Sequence, residues 1–334
     1  MISIDDITKR LEEKGKQDII PQVINAYTLA SIAHDGIYRE SGEAYITHPL
    51  NVCKNLLDME IYDANTLSAA LLHDVVEDTN ISLFDISTFI NPDTAMLVDG
   101  VTKISRLNFS NKENQNLANT RKIINGLNKD VRIIIIKLAD RLHNMNTLEF
   151  KRREKQIENA EETLHLFVPL AISIGAHTLK NELEDLSLMY LEPDEYKKIE
   201  EQKLKLYRDF GPKIREMSSM IDEILNNKNI PHHIKYRTRN IYDTYKKLLK
   251  GYKMENIYDL YYLKVIVDTI DNCYLTLCSI HSMYPPINSR FKDYIYNPKT
   301  NFYQSLHTTV SYDDKIIKAK IRTKEMDHIA AYGV

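Results

Sequence analysis

The stretch Val131–Leu148 reads VRIIIIKLADRLHNMNTL. Val131, Ile134, Ile135, Leu138, Leu142 and Met145 recur at helical spacing and form a core stripe. Asp140, Asn144 and Thr147 stand at i, i+4 and i+7 on the opposite face, with Lys137 beside them. A helix this apolar is expected to be buried on most sides, and a carboxylate in such a place needs a partner. A metal ion would satisfy Asp140.

Two segments upstream supply companions. Ala69–Thr79 reads AALLHDVVEDT. As one helix it would put Leu71, Leu72, Val75 and Val76 on one face and His73, Asp74, Glu77 and Asp78 on the other. Three carboxylates and an imidazole within two turns repel unless a cation lies among them. Alone, this could be a solvated acidic face. Ala33–Pro49, AHDGIYRESGEAYITHP, is turn-rich and carries His34, Arg39, Ser41, Gly42 and His48. His48 could complete a set with His73, Asp74 and Asp140. Mixed imidazole and carboxylate ligands suit Mn²⁺, Fe²⁺ or Zn²⁺, and a hard octahedral site favours Mn²⁺.

Around these segments the pattern is helical from Ile4 to about Leu191. A charged stretch from Pro193 to about Asn229 reads as solvated helices interrupted at Gly211-Pro212. After Pro231 the composition shifts. Tyr258–Asp268, Leu306–Tyr312 and Ile316–Arg322 are rich in β-branched and aromatic residues and read as strands. Helical segments are expected at Ile241–Leu249, Asn272–Met283 and Lys324–Ala331. The expectation is a multidomain chain: an all-α domain with the start of a helical connector over 1–192, the connector itself over 193–230 and an α+β domain with a mixed sheet over 231–334.

The 334 residues are 43% hydrophobic and 27% charged, with a net charge of −3, which fits a globular chain and argues against a broad nucleic-acid binder. The apolar run Ile133–Ile136 is far short of the roughly 18 residues a membrane span needs. Met1–Asp18 has no apolar centre and does not read as a signal peptide. Cys53, Cys273 and Cys278 form no Cys-x-x-Cys pair and read as reduced thiols. A cytoplasmic protein without disulfides is expected.

In the last third, Arg290, Lys292 and Lys299 precede Asn301, Tyr303, Gln304 and His307. Such cations neutralise polyphosphate, and an aromatic can stack on a purine. A solvated basic loop is the plainer reading of the same residues. Lys318, Lys320 and Arg322 would share one face of a strand.

Taken together, these segments, with LVDGVTKI (Leu97–Ile104), KNELEDL (Lys180–Leu186), RFKDYIYNPKTNFYQSLHTTV (Arg290–Val310) and IRTKEM (Ile321–Met326), resemble the long RelA/SpoT homologues, which make and destroy the alarmone (p)ppGpp. The resemblance covers nearly the whole chain. It implies an HD-type hydrolase domain in which His48, His73, Asp74 and Asp140 hold Mn²⁺. Glu77 and Asp78 would stand near the attacking water. Arg39, Ser41, Lys137, Asn144 and Thr147 would hold the nucleotide. It further implies a nucleotidyltransferase-like synthetase domain that moves pyrophosphate from ATP to GDP or GTP. There Arg237 and Arg239 match ATP-site positions, Asp259 the Mg²⁺ ligand and Tyr303 the guanine-stacking tyrosine.

The chain departs from the family pattern in places. Glu40 stands where a Lys is usual, and Ile37 where a Gln is usual. Lys318 replaces the acid of EIQIRT, and Tyr262 and Lys264 replace Ala and Arg. The expected activity is therefore Mn²⁺-dependent removal of the 3′-pyrophosphate of ppGpp or pppGpp, with a weak or silent synthetase-like domain; Mg²⁺ enters only if synthesis survives. A bifunctional enzyme and a nucleotide-sensing second domain are the alternatives. Expected partners are (p)ppGpp and GDP or GTP, with ATP where synthesis is retained, and neither DNA nor membrane. Ribosome contact is not expected, because the regulatory region of long members is not among these residues.

Overall fold

The computed structural model describes residues 2–105, 130–299, 301–313 and 315–333. The chain divides into two compact units, 1–171 and 172–334.

The first unit is helical. In order come α1 (Ile4–Glu13), α2 (Ile20–Ala33), α3 (Thr47–Asp58), α4 (Ala64–Leu72), α5 (Val75–Asp78), α6 (Leu83–Phe89), α7 (Pro92–Ser105), α8 (Val131–Asn146) and α9 (Arg153–Glu162). A π-helical turn, Thr163–Phe167, leads into α10 (Val168–Ser173). Helix α8 is the element read first from the sequence. Asp130 caps it by accepting the Arg132 amide, and the Arg132 guanidinium reaches Asp130 and Asp93, tying α8 to the start of α7. Gly100 on α7 lets the two helices close up: a Cβ there would lie 2.4 Å from Ile133 Cδ1. Val131, expected in the core stripe, is 39% exposed in the first turn, whereas Ile133, Ile134, Ile136, Leu138, Leu142 and Met145 are buried.

The expected single helix over 69–79 is broken. Helix α4 ends at Leu72, and α5 is one turn. The reason lies in His73. Its Nδ1 donates to the Ala70 carbonyl at 2.8 Å, the oxygen that an unbroken helix would offer to the Asp74 amide. The predicted faces change accordingly. His73 is buried, while Glu77 and Asp78 are exposed.

The second unit begins with α11 (His177–Leu191) and α12 (Pro193–Asn227), followed by β1 (His232–Thr238), α13 (Ile241–Leu249), β2 (Tyr261–Val267), α14 (Ile270–Met283), β3 (Lys292–Asp293), β4 (Leu306–Tyr312), β5 (Lys315–Thr323) and α15 (Lys324–Tyr332). The sequence reading kept 172–192 with the first domain as the start of the connector; in the structure α11 packs on α12, α13 and α15 of the second unit. Asp185, in the KNELEDL segment, accepts the amides of Ile241 and Tyr242 at the start of α13, and Glu184 takes Asn240 and Lys246. The expected interruption at Gly211-Pro212 is absent: α12 runs through Pro212. Nor is α12 merely solvated. Ile199, Ile214, Met217, Ile221 and Leu225 are buried, and this apolar stripe offsets the lost backbone bond.

The sheet order is β1-β2-β5-β4-β3, with β2 and β5 parallel and the other pairs antiparallel. One face carries Leu263, Val265, Ala319, Ile321, Leu306 and Val310 into the core with α12 and α14. Strands β4 and β5 and helix α13 fall within a residue or two of where the sequence puts them. Strands β1 and β3 were not expected.

Candidate functional site

In the first unit α3, the α4–α5 break and α8 converge on one cluster. His48 Nε2 lies 3.2 Å from His73 Nε2, 3.2 Å from Asp140 Oδ1 and 3.4 Å from Asp74 Oδ2. His73 Nε2 is 3.1 Å from Asp74 Oδ2 and 3.7 Å from Asp140 Oδ1. Asp140 also takes Lys137 Nζ at 2.7 Å and Asn144 Nδ2 at 2.6 Å.

The hydrogen bonds fix which ring atoms face the centre. Arg39 donates to His143 Nδ1 at 3.1 Å, so that nitrogen is an acceptor, and His48 Nδ1 donates to it at 2.8 Å. This leaves the His48 Nε2 lone pair pointing inward. His73 spends its Nδ1–H on Ala70, so its Nε2 points inward too. Two imidazole nitrogens and two carboxylates then face one another, which is unfavourable without a proton or cation between them.

The electrostatics report the same tension. Burial opposes the charged form of His73, but Asp74 and Asp140 outweigh it and push its pKa up to about 10. Burial works against both carboxylates, yet the neighbouring His73, His48 and Lys137 hold Asp74 and Asp140 well below the usual range. Burial, with His48 and Arg39 beside it, pushes His143 down to about 3, which keeps it neutral and able to accept.

The donor set fits a divalent metal. Ligands about 2.1 Å from a metal are spaced roughly 3.0–3.4 Å apart, and the separations above fall within that range, apart from the 3.7 Å between His73 Nε2 and Asp140 Oδ1. His48, His73 and Asp74 can each offer an atom to one ion, and Asp140 Oδ1 closes the set.

A cleft of about 470 Å³ opens beside the cluster, lined by Arg39, Ser41, Tyr45, Glu77, Lys137, Asn144 and Thr147 among others. Arg39 also donates to Asn144 Oδ1 at 3.1 Å and reaches Thr147 at 3.4 Å. Ser41 Oγ is buried with no partner among the described residues. The loop that presents Arg39 and Ser41 is a small hairpin, bridged at Tyr38 and Ala44 and turned at Gly42 with φ +83°. Asp78 is not on the cleft wall, unlike Glu77. Glu40 pairs with Lys151 at 3.0 Å at the cleft.

Two residues of the cluster escaped the sequence reading. His143 lies three positions after Asp140, so helical spacing could have found it. Tyr45 donates to Asp74 Oδ2 at 2.7 Å, and nothing in its local sequence signals this.

In the second unit the expected residues gather on the sheet face opposite the core. Register places Lys318, Lys320 and Arg322 of β5 beside Tyr262, Lys264 and Ile266 of β2, and Arg237 and Lys235 of β1 beside Tyr262 and Lys264. His307 of β4 pairs with both Lys320 and Lys292. Asp259 is enclosed by Arg239, by Lys247 at 3.2 Å and by Lys318 at 3.7 Å. Burial opposes its charge, but these cations hold its pKa at about 2. Burial and then Lys320, Lys318 and Arg322 push His307 down to about 2.

Tyr303, expected to stack on a purine, is only 7% exposed. Its hydroxyl meets His307 Nε2 at 2.7 Å, and Lys299 and Arg322 lie 5.1 and 5.3 Å from its ring centre. These side chains would have to move before a base could reach the ring. Arg290 lies 3.9 Å over Tyr258, Gln304 donates to the Ile295 carbonyl, and Asn301 is 3.5 Å from His177. Arg237 and Lys292 are exposed. No helix among the described residues is long and apolar enough to cross a membrane.

The geometry agrees with what related sequences show. An HD domain matches residues 26–176, and a region found in RelA / SpoT proteins matches residues 236–334. A probable guanosine-3′,5′-bis(diphosphate) 3′-pyrophosphohydrolase of Synechocystis is 42% identical over 93% of this chain and 41% of its own length. The bifunctional (p)ppGpp synthase/hydrolase SpoT of Escherichia coli is 39% identical over 100% of this chain and 48% of its own. A solved metazoan orthologue of SpoT aligns with 49% of this chain and 93% of its own at 27% identity, with a TM-score of 0.40. The chain thus spans less than half the length of these curated relatives. It belongs to the RelA/SpoT family, and its HD region and RelA/SpoT region together correspond to the N-terminal catalytic half of the long members.

Proposed function

We propose that the first unit removes the 3′-pyrophosphate of ppGpp or pppGpp, giving GDP or GTP and pyrophosphate, with Mn²⁺ held by His48, His73, Asp74 and Asp140. The observation that carries this is the inward convergence of two imidazole nitrogens and two carboxylates, all paired on their outer sides, at one end of a polar cleft. Bound Mn²⁺ would supply Lewis acidity at a phosphate oxygen and lower the pKa of water. The chain's own residues supply the rest. Glu77 on the cleft wall can accept a proton from the attacking water. Arg39 and Lys137 offset phosphate charge, and the Ser41 hydroxyl, Asn144 and Thr147 offer polar contacts that orient the nucleotide. The Arg39–His143–His48 chain keeps His48 in the tautomer that presents Nε2. The test incubates the protein with ppGpp in Mn²⁺, in other divalent ions and in chelator, and follows products by chromatography. Full-rate cleavage in chelator would overturn the metal reading, and no cleavage with any ion would overturn the activity.

For the second unit we infer a synthetase-like domain with weak or no pyrophosphate transfer. Supporting this is the enclosure of Asp259, the expected Mg²⁺ ligand, by Arg239, Lys247 and Lys318, with no second carboxylate on β5. Transfer rests on metal-assisted charge stabilisation, and an ammonium cannot ligate a cation. Appreciable (p)ppGpp formation from ATP and GDP or GTP with Mg²⁺ would favour the bifunctional alternative. Both units are read as working in the cytoplasm on free nucleotides.

A further inference from the structure

The cleft of the first unit carries an ion pair away from the metal cluster. Helix α8 presents Asp140, Asn144 and Thr147 in succession, and at about 1.5 Å per residue Thr147 stands roughly 10 Å along the axis from Asp140. Lys151 follows at the close of the 3₁₀ turn Leu148–Phe150, with its carbonyl held by Gln156 Nε2 at 2.9 Å. On the facing hairpin the Gly42 amide donates to the Arg39 carbonyl and the Arg39 amide to that of Glu43, which sets Glu40 at the tip. Glu40 Oε1 takes Lys151 Nζ at 3.0 Å, and the two side chains are 62% and 39% exposed. An exposed pair of this kind adds little to stability. Tyr38 and Phe150, close to these two residues in the chain, also line the cleft and are largely exposed.

Asp74 and Asp140 on the cleft wall belong to the metal cluster, and Glu77 lies one turn from Asp74; Glu40 serves neither role. A carboxylate there repels the ionised phosphates on both sides of the substrate's ribose. It can only meet hydrogen-bond donors, and those of the substrate are the 2′-hydroxyl and, on guanine, N1–H and the 2-amino group. We propose that the Glu40–Lys151 pair selects the base: Glu40 accepts from N1–H and the 2-amino group, and Lys151 donates to O6. An acceptor and a donor side by side match the order of groups along that edge of guanine. Adenine presents a lone pair at N1 and an amino group at position 6, so each member of the pair would face a group of its own kind. Tyr38 and Phe150 offer aromatic surface on which the purine can rest. The proposal rests on the reading of the first unit as a (p)ppGpp hydrolase, and it names the side chains that fix the base.

The experiment measures cleavage of ppGpp and of its inosine and adenosine counterparts in Mn²⁺, by the full chain and by Glu40→Gln, Lys151→Met and Lys151→Arg. The inosine compound lacks only the 2-amino group. The parent should cleave it about tenfold less efficiently than ppGpp, and the adenosine compound less efficiently still. Glu40→Gln should lower kcat/KM for ppGpp by about tenfold to a hundredfold, mostly through KM. It should also narrow the lead over the adenosine compound, because an amide can meet the adenine edge. Lys151→Met should slow the two substrates that carry O6 more than the adenosine compound, while Lys151→Arg keeps a donor and retains the preference. A merely structural pair would slow all three substrates by one factor when either member is replaced. That result, or ratios in Glu40→Gln and Lys151→Met equal to those of the parent, overturns the proposal. Calorimetry with GDP, inosine diphosphate and ADP in Mn²⁺ gives a second readout without turnover, the site in question being the class of binding that Glu40→Gln changes. If the parent cleaves none of the three compounds, the hydrolase reading falls, and the calorimetry still decides the base contact. A GDP-over-ADP preference that Glu40→Gln reduces supports it, and no such change overturns it.

Discussion

Lys318→Glu is the perturbation that tests the second unit most directly. Lys318 Nζ lies 3.7 Å from Asp259 Oδ2, and its side chain is 17% exposed. At that distance two unit charges interact by about 4 kcal/mol at an effective dielectric of about 20. Glutamate turns this attraction into repulsion, a swing on the order of 8 kcal/mol before relaxation by the same Coulomb estimate. Arg239 and Lys247 remain on Asp259, and the new side chain can swing toward water. A net loss of about 2–4 kcal/mol is therefore expected in chelator, in the range for a broken buried pair. For a unit of this size, at about 2–4 °C per kcal/mol, that is a fall of roughly 4–16 °C in melting temperature. The introduced carboxylate and that of Asp259 would together offer a divalent ion two ligands. Mg²⁺ at about a hundred times its dissociation constant would return about 2.7 kcal/mol. Differential scanning calorimetry of parent and variant, in chelator and in Mg²⁺, reads both effects on the transition of the second unit. The reasoning is refuted if the variant melts like the parent in chelator, or if Mg²⁺ shifts the two proteins equally. Recovery of some (p)ppGpp synthesis by the variant would identify Lys318 as the main obstacle, and its absence would point to Tyr262 and Lys264.

Further outcomes follow from the same geometry. His73→Ala or Asp74→Ala should abolish ppGpp cleavage and Mn²⁺ binding together, as measured by product chromatography and metal titration. Tyr45→Phe removes the 2.7 Å bond to Asp74 and should lower Mn²⁺ affinity or rate by about 10-fold, with the melting curve nearly unmoved. Gly100→Ala forces a methyl group against Ile133 and should cost about 1–3 kcal/mol in denaturant unfolding of the first unit. The Asp259 pKa of about 2 lies below the ordinary carboxylate value. Its stabilising contribution is therefore complete above about pH 4 and lost as pH falls toward 2, about 2 kcal/mol in all; urea titrations of Asp259→Asn should show that part of the acid sensitivity removed.

Much of this structure is legible in the sequence, and the gaps share a cause. Helix α8, strands β4 and β5 and helix α13 declare themselves through local periodicity, because their own side chains make the stripe that packs. Strand β1 does not. Its HHIKYRT has mostly exposed or half-buried side chains at the edge of the sheet, so no apolar alternation marks it. Strand β3 is two residues long and exists only through its pairing with β4. The candidate metal set was readable because three of its residues lie in two helical segments with carboxylates where apolar residues would be expected. His143 was overlooked although its i+3 spacing from Asp140 puts it near the cluster, but its role could not be read, since that depends on His48, 95 positions away. The helix break after Leu72 was hidden for a similar reason: it depends on a ring nitrogen taking a backbone carbonyl.

The passage of α12 through Pro212 has a consequence for the motion of the second unit. Pro212 has no amide N–H to donate, so the Arg208 carbonyl lacks its partner four residues on, and the 35-residue ladder of hydrogen bonds contains a gap near its middle. Opening on one side of that gap need not propagate to the other. The C-terminal segment keeps Ile214, Met217, Ile221 and Leu225 in the core, whereas Leu204 in the N-terminal segment is 61% exposed. Amide exchange should therefore divide at Pro212, with slow protons after it and faster ones before it. A helix that is continuous in shape would behave as two in time.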